Sequence, residues 1–156
     1  MAIPDFVVEL RKHVGHADLW LPGVTAVVRR EREILLVRRS DNNEWTPITG
    51  IVDPGEQPAA AAGREVLEET GVTVEVERLV WVNASPLVVH SNGDRARYLD
   101  HCFSCRYAGG DARVADDESV DVGWFSIDDL PPMQPMFRER IASTREAGPE
   151  TRFQLT

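Results

Sequence analysis

Residues 50–72 read GIVDPGEQPAAAAGREVLEETGV, and the fold turns on how this stretch is read. Pro58 suits the first turn of a helix and Gly71 its stop, so the sequence predicts a helix over 58–70. Four glutamates and one aspartate fall within these 23 residues, around a lone arginine, Arg64. Two carboxylates about 5 Å apart repel by roughly 3 kcal/mol at an effective dielectric near 20, so such a cluster costs stability unless a cation sits among them.

On a 3.6-residue period Glu65, Glu68 and Glu69 are related as i, i+3 and i+4 and share one face. Ala59, Ala60, Gly63, Val66 and Leu67 gather on the opposite side. The helix is therefore expected to bury that apolar stripe and to turn three carboxylates outward, with the small Ala61 and Ala62 leaving room beside them for a ligand. Arg64, four residues before Glu68, is placed to orient a carboxylate and soften the repulsion. Two readings stay open on these residues alone: a solvated acidic face, or three hard oxygen donors of the kind Mg²⁺ or Mn²⁺ takes.

Working outward, PDFVVELRKHVG places Pro4 and Asp5 at a helix start, Phe6, Leu10 and Val14 on one stripe and Gly15 at the stop, a short docking helix. GVTAVVRR and EILLVRRS, split by a polar ERE, read as a hairpin, after which DNNEWTPITG breaks into a loop. Beyond the acidic helix, VTVEVERLVWVNAS alternates as a strand, and Asn92-Gly93 marks the turn of a second hairpin. VDVGWFSI reads as a final strand and MQPMFRERIASTREAG as a closing helix ending near Gly148. The order helix, strands, helix, strands, helix implies an α/β domain with a mixed sheet covered on both faces. A chain of 156 residues with 42% hydrophobic content suits one such domain.

The formal charge of −9 argues against a polyanion held by surface charge, so no nucleic acid partner is expected, and a phosphate substrate would need metal ions as intermediaries. Asp5 and Glu9 interrupt the N-terminal segment, which reads as neither a secretory signal nor a membrane span; a cytoplasmic setting with no membrane partner follows as the expectation. The two cysteines, Cys102 and Cys105, stand three apart in a strand pattern, so their sulfurs should diverge onto opposite faces as packed, reduced thiols.

Gly50, then Glu56, then Arg64-Glu65-Val66-Leu67-Glu68-Glu69-Thr70-Gly71-Val72 resembles the complete Nudix box. The likeness extends over residues 18–147, leaving 1–17 as an N-terminal helical segment packed on the domain and 148–156 as a tail. The resemblance implies an α/β/α sandwich of the Nudix type. It also implies a Mg²⁺-dependent pyrophosphohydrolase, with Mn²⁺ as a substitute ion, that cuts the diphosphate linkage of a nucleoside diphosphate joined to another group. Under it Glu68 and Glu69 are the main metal ligands and Glu65 a ligand or base. Gly50 and Glu56 are structural supports, and Arg64 belongs to the catalytic set through its pairing with Glu56. Glu118, on a loop six residues before Trp124, matches a further glutamate that binds metal or acts as base in many Nudix hydrolases. Pro86 resembles a proline that members cleaving ADP-ribose carry at about that distance past the box, although its offset is not the usual one, and homodimers are common among similar proteins. One departure stands out: Pro-Gly usually precedes the box glycine, whereas here the order is Trp45-Thr46-Pro47-Ile48-Thr49-Gly50. The resemblance also leaves open a nucleoside triphosphate pyrophosphohydrolase and a non-catalytic nucleotide sensor.

Substrate contacts carry less of a signature. Arg38 and Arg39 end a strand, and alternation sends only one of them to a given face; Arg38 is the candidate phosphate contact. Trp45 and Tyr98, with Trp20, are the candidates for stacking on a base. His90 and His101 lack metal-ligand spacing to one another and read as structural.

Overall fold

A computed structural model describes residues 3–145 and 148–156. Helix α1 (Asp5–Val14) starts after Pro4 and stops at Gly15, whose φ of 58° only a glycine adopts freely and whose N–H bonds back to Arg11 O. Strands β1 (Leu19–Arg30) and β2 (Glu33–Arg39) form the expected hairpin, turning through Glu31 at φ 52°.

The stretch expected to be a loop contains two further strands, β3 (Trp45–Thr46) and β4 (Ile48–Ile51). Pro47, with no N–H to give a ladder, separates them. Ile48 is fully buried, and β4 pairs with β1 from Gly23↔Ile51 to Ala26↔Ile48, which satisfies backbone that a buried loop would leave unpaired.

Helix α2 (Pro58–Thr70) has the bounds its sequence predicts, with Gly71 at φ 70° closing it. The rest of the sheet is β5 (Thr73–Ala84), β6 (Val88–Val89), β7 (Arg95–Gly109) and β8 (Ser119–Ser126). Asn92-Gly93 turns the chain between β6 and β7, Gly93 at φ 89°. β1 and β7 run parallel from Leu19↔Ala96 to Arg29↔Arg106, whereas β5 with β7 and β2 with β8 are antiparallel, so the sheet is mixed.

Both faces are covered. Ala61, Ala62 and Val66 of α2 pack on Val24, Ala26, Leu35, Val37 and Cys105, and Ile141 of helix α3 (Pro135–Ser143) packs with Val27, Ile34, Leu36 and Cys102 on the other side. Cys102 and Cys105 therefore lie in different layers, both buried and free, as their spacing requires. The fold is a single α/β domain with helices on both faces of a mixed sheet.

Three local expectations change. α1 anchors through Val7, with Phe6 partly buried beside it against Leu21 and Ala96, while Leu10 and Val14 stay exposed. The contact lies near the start of the helix, so residues one and two turns on rise away from the sheet. α3 ends at Ser143 and not near Gly148, because the Ser143 and Thr144 hydroxyls bond to Glu139 O and Ile141 O and satisfy its last carbonyls. The expected domain boundary at 147 lies outside the described residues. The third change concerns α2 and makes the site.

Candidate active site

α2 does not bury the stripe its apolar residues suggest. Leu67 is 50% exposed and Ala59 and Ala60 face solvent, whereas Glu65 and Glu69 are only 2% and 3% exposed, in the middle of the inward face with Ala61, Ala62 and Val66. Of the three glutamates only Glu68 points outward, its side chain 55% exposed. Ala61 and Ala62 are core residues and leave no ligand space. A side-chain cation for these acids is scarce, and that sets the chemistry of the site.

Arg64 is the hub. Its Nε and Nη2 donate to the two oxygens of Glu56 at 2.8 and 2.9 Å, its Nη1 to Glu65 Oε1 at 2.9 Å and Glu68 Oε2 at 3.2 Å, and its Nη2 to Ile51 O at 3.2 Å. The bidentate pair fixes the guanidinium plane, and these hydrogen bonds hold Glu56 below the usual carboxylate range. Gly50 explains itself here: a Cβ on it would overlap the Glu65 carboxyl group, so only glycine lets β4 pass beneath that side chain.

Burial pushes Glu65 up to about 7 despite Arg64. Burial, with Glu118, Glu65 and Asp116 nearby, pushes Glu69 up to about 9 against the weaker pull of Arg39. Glu118 rises to about 7, again through burial, with Asp116 and Glu65 adding to it. Glu118 reaches this cluster because its loop is tied down on both sides. Ala115 N–H bonds to Glu69 O at 3.1 Å, Arg113 N–H to Thr70 O at 3.0 Å, and Ser40 N–H to Glu118 O at 2.7 Å.

Arg39, not Arg38, is the arginine on this side. Leu35 and Val37 face α2, and Arg39 continues their parity; it holds Asp41 through bonds of 2.9 and 2.7 Å and acts electrostatically on Glu118 and Glu69. Arg38 lies on the other face, 3.6 Å from Asp121 and beside Trp45, whose ring meets Phe125 edge-on at 4.7 Å. Tyr98 donates to or accepts from His90 Nε2 at 2.8 Å, within the small core under α1, and Trp20 is exposed on β1. Pro86 lines a separate cleft with Trp81 and Met136. The structure thus gathers Glu65, Glu69, Glu118, Arg64, Glu56 and Gly50, with Glu68 at the rim; it does not bring Arg38 or Trp45 to them, and Tyr98 stands across Gly23 from Gly50, within electrostatic reach of Arg39. Arg39 and Asp116 are the members sequence reasoning missed; parity with Leu35 and Val37 was the available signal for Arg39.

The carboxylates open into a cleft of about 770 Å³ that Arg64, Glu65 and Glu68 share with Ile51 and the start of α1. No three His, Cys, Asp or Glu side chains among the described residues form a ready-made metal cage. The donor chemistry nevertheless fits a hard divalent cation: buried oxygen donors from α2 and the 115–118 loop, with Gly50 making space at one of them.

A cluster of buried oxygen donors on this fold is the chemistry an anionic substrate and a hard cation would meet. The NUDIX domain model matches residues 19–146. A MutT-like protein of Streptomyces ambofaciens is 33% identical over 81% of this chain and 77% of its own length. The NAD-capped RNA hydrolase NudC of Chromobacterium violaceum is 37% identical over 70% of the chain, which spans only 39% of that relative. Among solved structures, an ADP-ribose pyrophosphatase from Streptococcus suis superposes with a TM-score of 0.65 at 28% identity, over 86% of this chain and 98% of the other. The chain belongs to the Nudix family of pyrophosphohydrolases.

Proposed function

We propose that this protein hydrolyses the diphosphate bridge of a nucleoside diphosphate joined to a second group, in a reaction dependent on Mg²⁺ or Mn²⁺. The observation that carries the reading is the burial of Glu65 and Glu69 on the inward face of α2, close enough to Glu118 that the carboxyl groups repel one another. Glu65, Glu68 and Glu69 would hold the ion. When bound, the cation offsets charge on the diphosphate and makes an attacking water more acidic. Arg64 fixes the carboxylates of the inward Glu65 and the rim Glu68, and Glu56 keeps Arg64 in plane. Glu118, raised to about 7, is the residue we assign to take the proton from water, since a base near the working pH exchanges protons best. Arg39 supplies positive charge on the same side, where an anionic substrate needs it. Residues 18–147 form the catalytic domain in this reading, with 1–17 packed on it.

The test is product analysis with ADP-ribose. Cutting its bridge gives AMP and ribose 5-phosphate in equal amounts, and EDTA should abolish their release. The resemblance of the box leaves a second reading, cleavage of nucleoside triphosphates with release of pyrophosphate. Pyrophosphate from triphosphates alone would select it, and no turnover on any diphosphate or triphosphate would refute both.

A further inference from the structure

The segment matched to the family begins at residue 19, yet one wall of the 770 Å³ cleft is built before it, from Ile3, Pro4, Asp5 and Phe6. We propose that α1 selects the substrate: Phe6 stacks on an amino-bearing nucleobase, and Asp5 accepts the hydrogen bond of its exocyclic amine. This rests on the diphosphate-hydrolase reading of the same site and adds to it the base that site takes.

Three observations support the assignment. First, α1 is a fixed wall. Val7 is buried against Leu21 and Ala96, and the Arg11 guanidinium donates to Arg95 O at 2.8 Å and to Gly15 O at 3.0 Å, so both ends of the helix are held to the domain. Second, Phe6 is only partly buried: it packs on that core with Ile51 and also lines the cleft, which leaves aromatic surface for a planar ring. Third, Asp53 of the cleft faces Arg64 at 3.9 Å, so the polar side-chain groups that α1 itself offers are the Asp5 carboxylate oxygens, which accept hydrogen bonds and donate none. A base that offers an amine meets them well, whereas one presenting carbonyl oxygens there meets repulsion.

The experiment titrates the full chain, in Mg²⁺, with AMP and with purine riboside 5′-monophosphate, which lacks only the 6-amino group. AMP should bind about tenfold tighter. Phe6→Ala should weaken both ligands about tenfold, in the range expected for loss of one stacking partner, and Asp5→Ala should erase the difference between them. Val7→Ala loosens the helix without touching the cleft and should keep the discrimination. In turnover of ADP-ribose, Phe6→Ala should raise KM about tenfold with kcat within about threefold. Absence of AMP binding, equal affinity for the two monophosphates, Phe6→Ala within twofold of the parent, or Val7→Ala losing as much as Phe6→Ala would each overturn the proposal. Because the titrations need no turnover, a chain that discriminates the monophosphates but cuts no diphosphate would sink the hydrolase reading alone and leave the role of α1 standing.

Discussion

Replacing Glu69 by Gln should stabilise the metal-free protein, and more so as pH rises. Glu69 is buried and titrates near 9 in the native state, against an ordinary value of 4.5. The native state thus keeps a proton that the unfolded chain gives up. Stability from this group is present below about pH 4.5 and is lost as pH rises toward about 9, because the unfolded state alone gains by ionising. Between 4.5 and pH 7 lie 2.5 pH units at about 1.4 kcal/mol each, a loss of about 3 kcal/mol by neutrality. Gln ionises in neither state and removes it, less about 1 kcal/mol if its amide finds no partner. A net gain of about 2 kcal/mol at pH 7 corresponds to about 4–8 °C in Tm for a domain of this size. The assay is urea unfolding in EDTA at intervals from pH 5.5 to 8.5. The parent should lose stability with pH more steeply than Glu69→Gln by up to one proton, and the two should converge toward pH 5. Glu68→Gln, at the exposed rim, should change stability by less than about 1 kcal/mol. Parallel pH profiles for parent and Glu69→Gln, or a Glu69→Gln protein less stable than the parent at pH 8, would refute the claim that this helix buries uncompensated charge.

Mg²⁺ should raise Tm more at pH 8 than at pH 6, since holding it takes protons off Glu65 and Glu69; sodium at matched ionic strength is the control, and an equal rise at both pH values counts against these ligands. Glu69→Gln should cut turnover at least about a hundredfold while the protein stays folded, read by kcat on the best substrate alongside circular dichroism. Gly50→Ala should lower turnover by a similar factor, because its Cβ would displace the Glu65 carboxyl group; activity within threefold of the parent would contradict the close approach. Arg64→Lys should not rescue Arg64→Ala, as an ammonium cannot make the bidentate bond to Glu56, and comparable activity for Lys and Arg would remove that geometry from the account.

How much of this was legible in the sequence depends on which rule each element obeys. α2 keeps the bounds its proline and glycine set, and the β6–β7 turn forms at Asn92-Gly93, because those residues fix backbone angles locally and no tertiary contact overrides them. Cys102 and Cys105 separated as strand parity demands. β3 and β4 were unreadable: two and four residues around a proline carry no period, and they are strands only because β2 and β1 offer partners. Arg38 and Arg39 were equivalent until the face that α2 covers was known. The three glutamates were found in the sequence; their burial was not.

That last miss follows from the physics of amphipathic reading, which assumes that a helix turns its apolar stripe inward and its charge outward. α2 follows the rule with Val66 and breaks it with Leu67, leaving that side chain half exposed so that Glu65 and Glu69 can occupy the inward face. Burying two carboxylates while exposing a leucine is unfavourable twice over, once in desolvation and once in lost apolar burial. A core able to absorb that cost has other stability to draw on, and here the fully buried Val24, Leu35 and Ile48 pack with Val66 of the helix. The departure from the apolar pattern is therefore the informative part of the helix. Where a stretch has the Pro and Gly bounds of a stable helix and yet places acids on its inward face, packing gains nothing from them, and the proposed cation with the chemistry done through it would supply the reason for such a sequence.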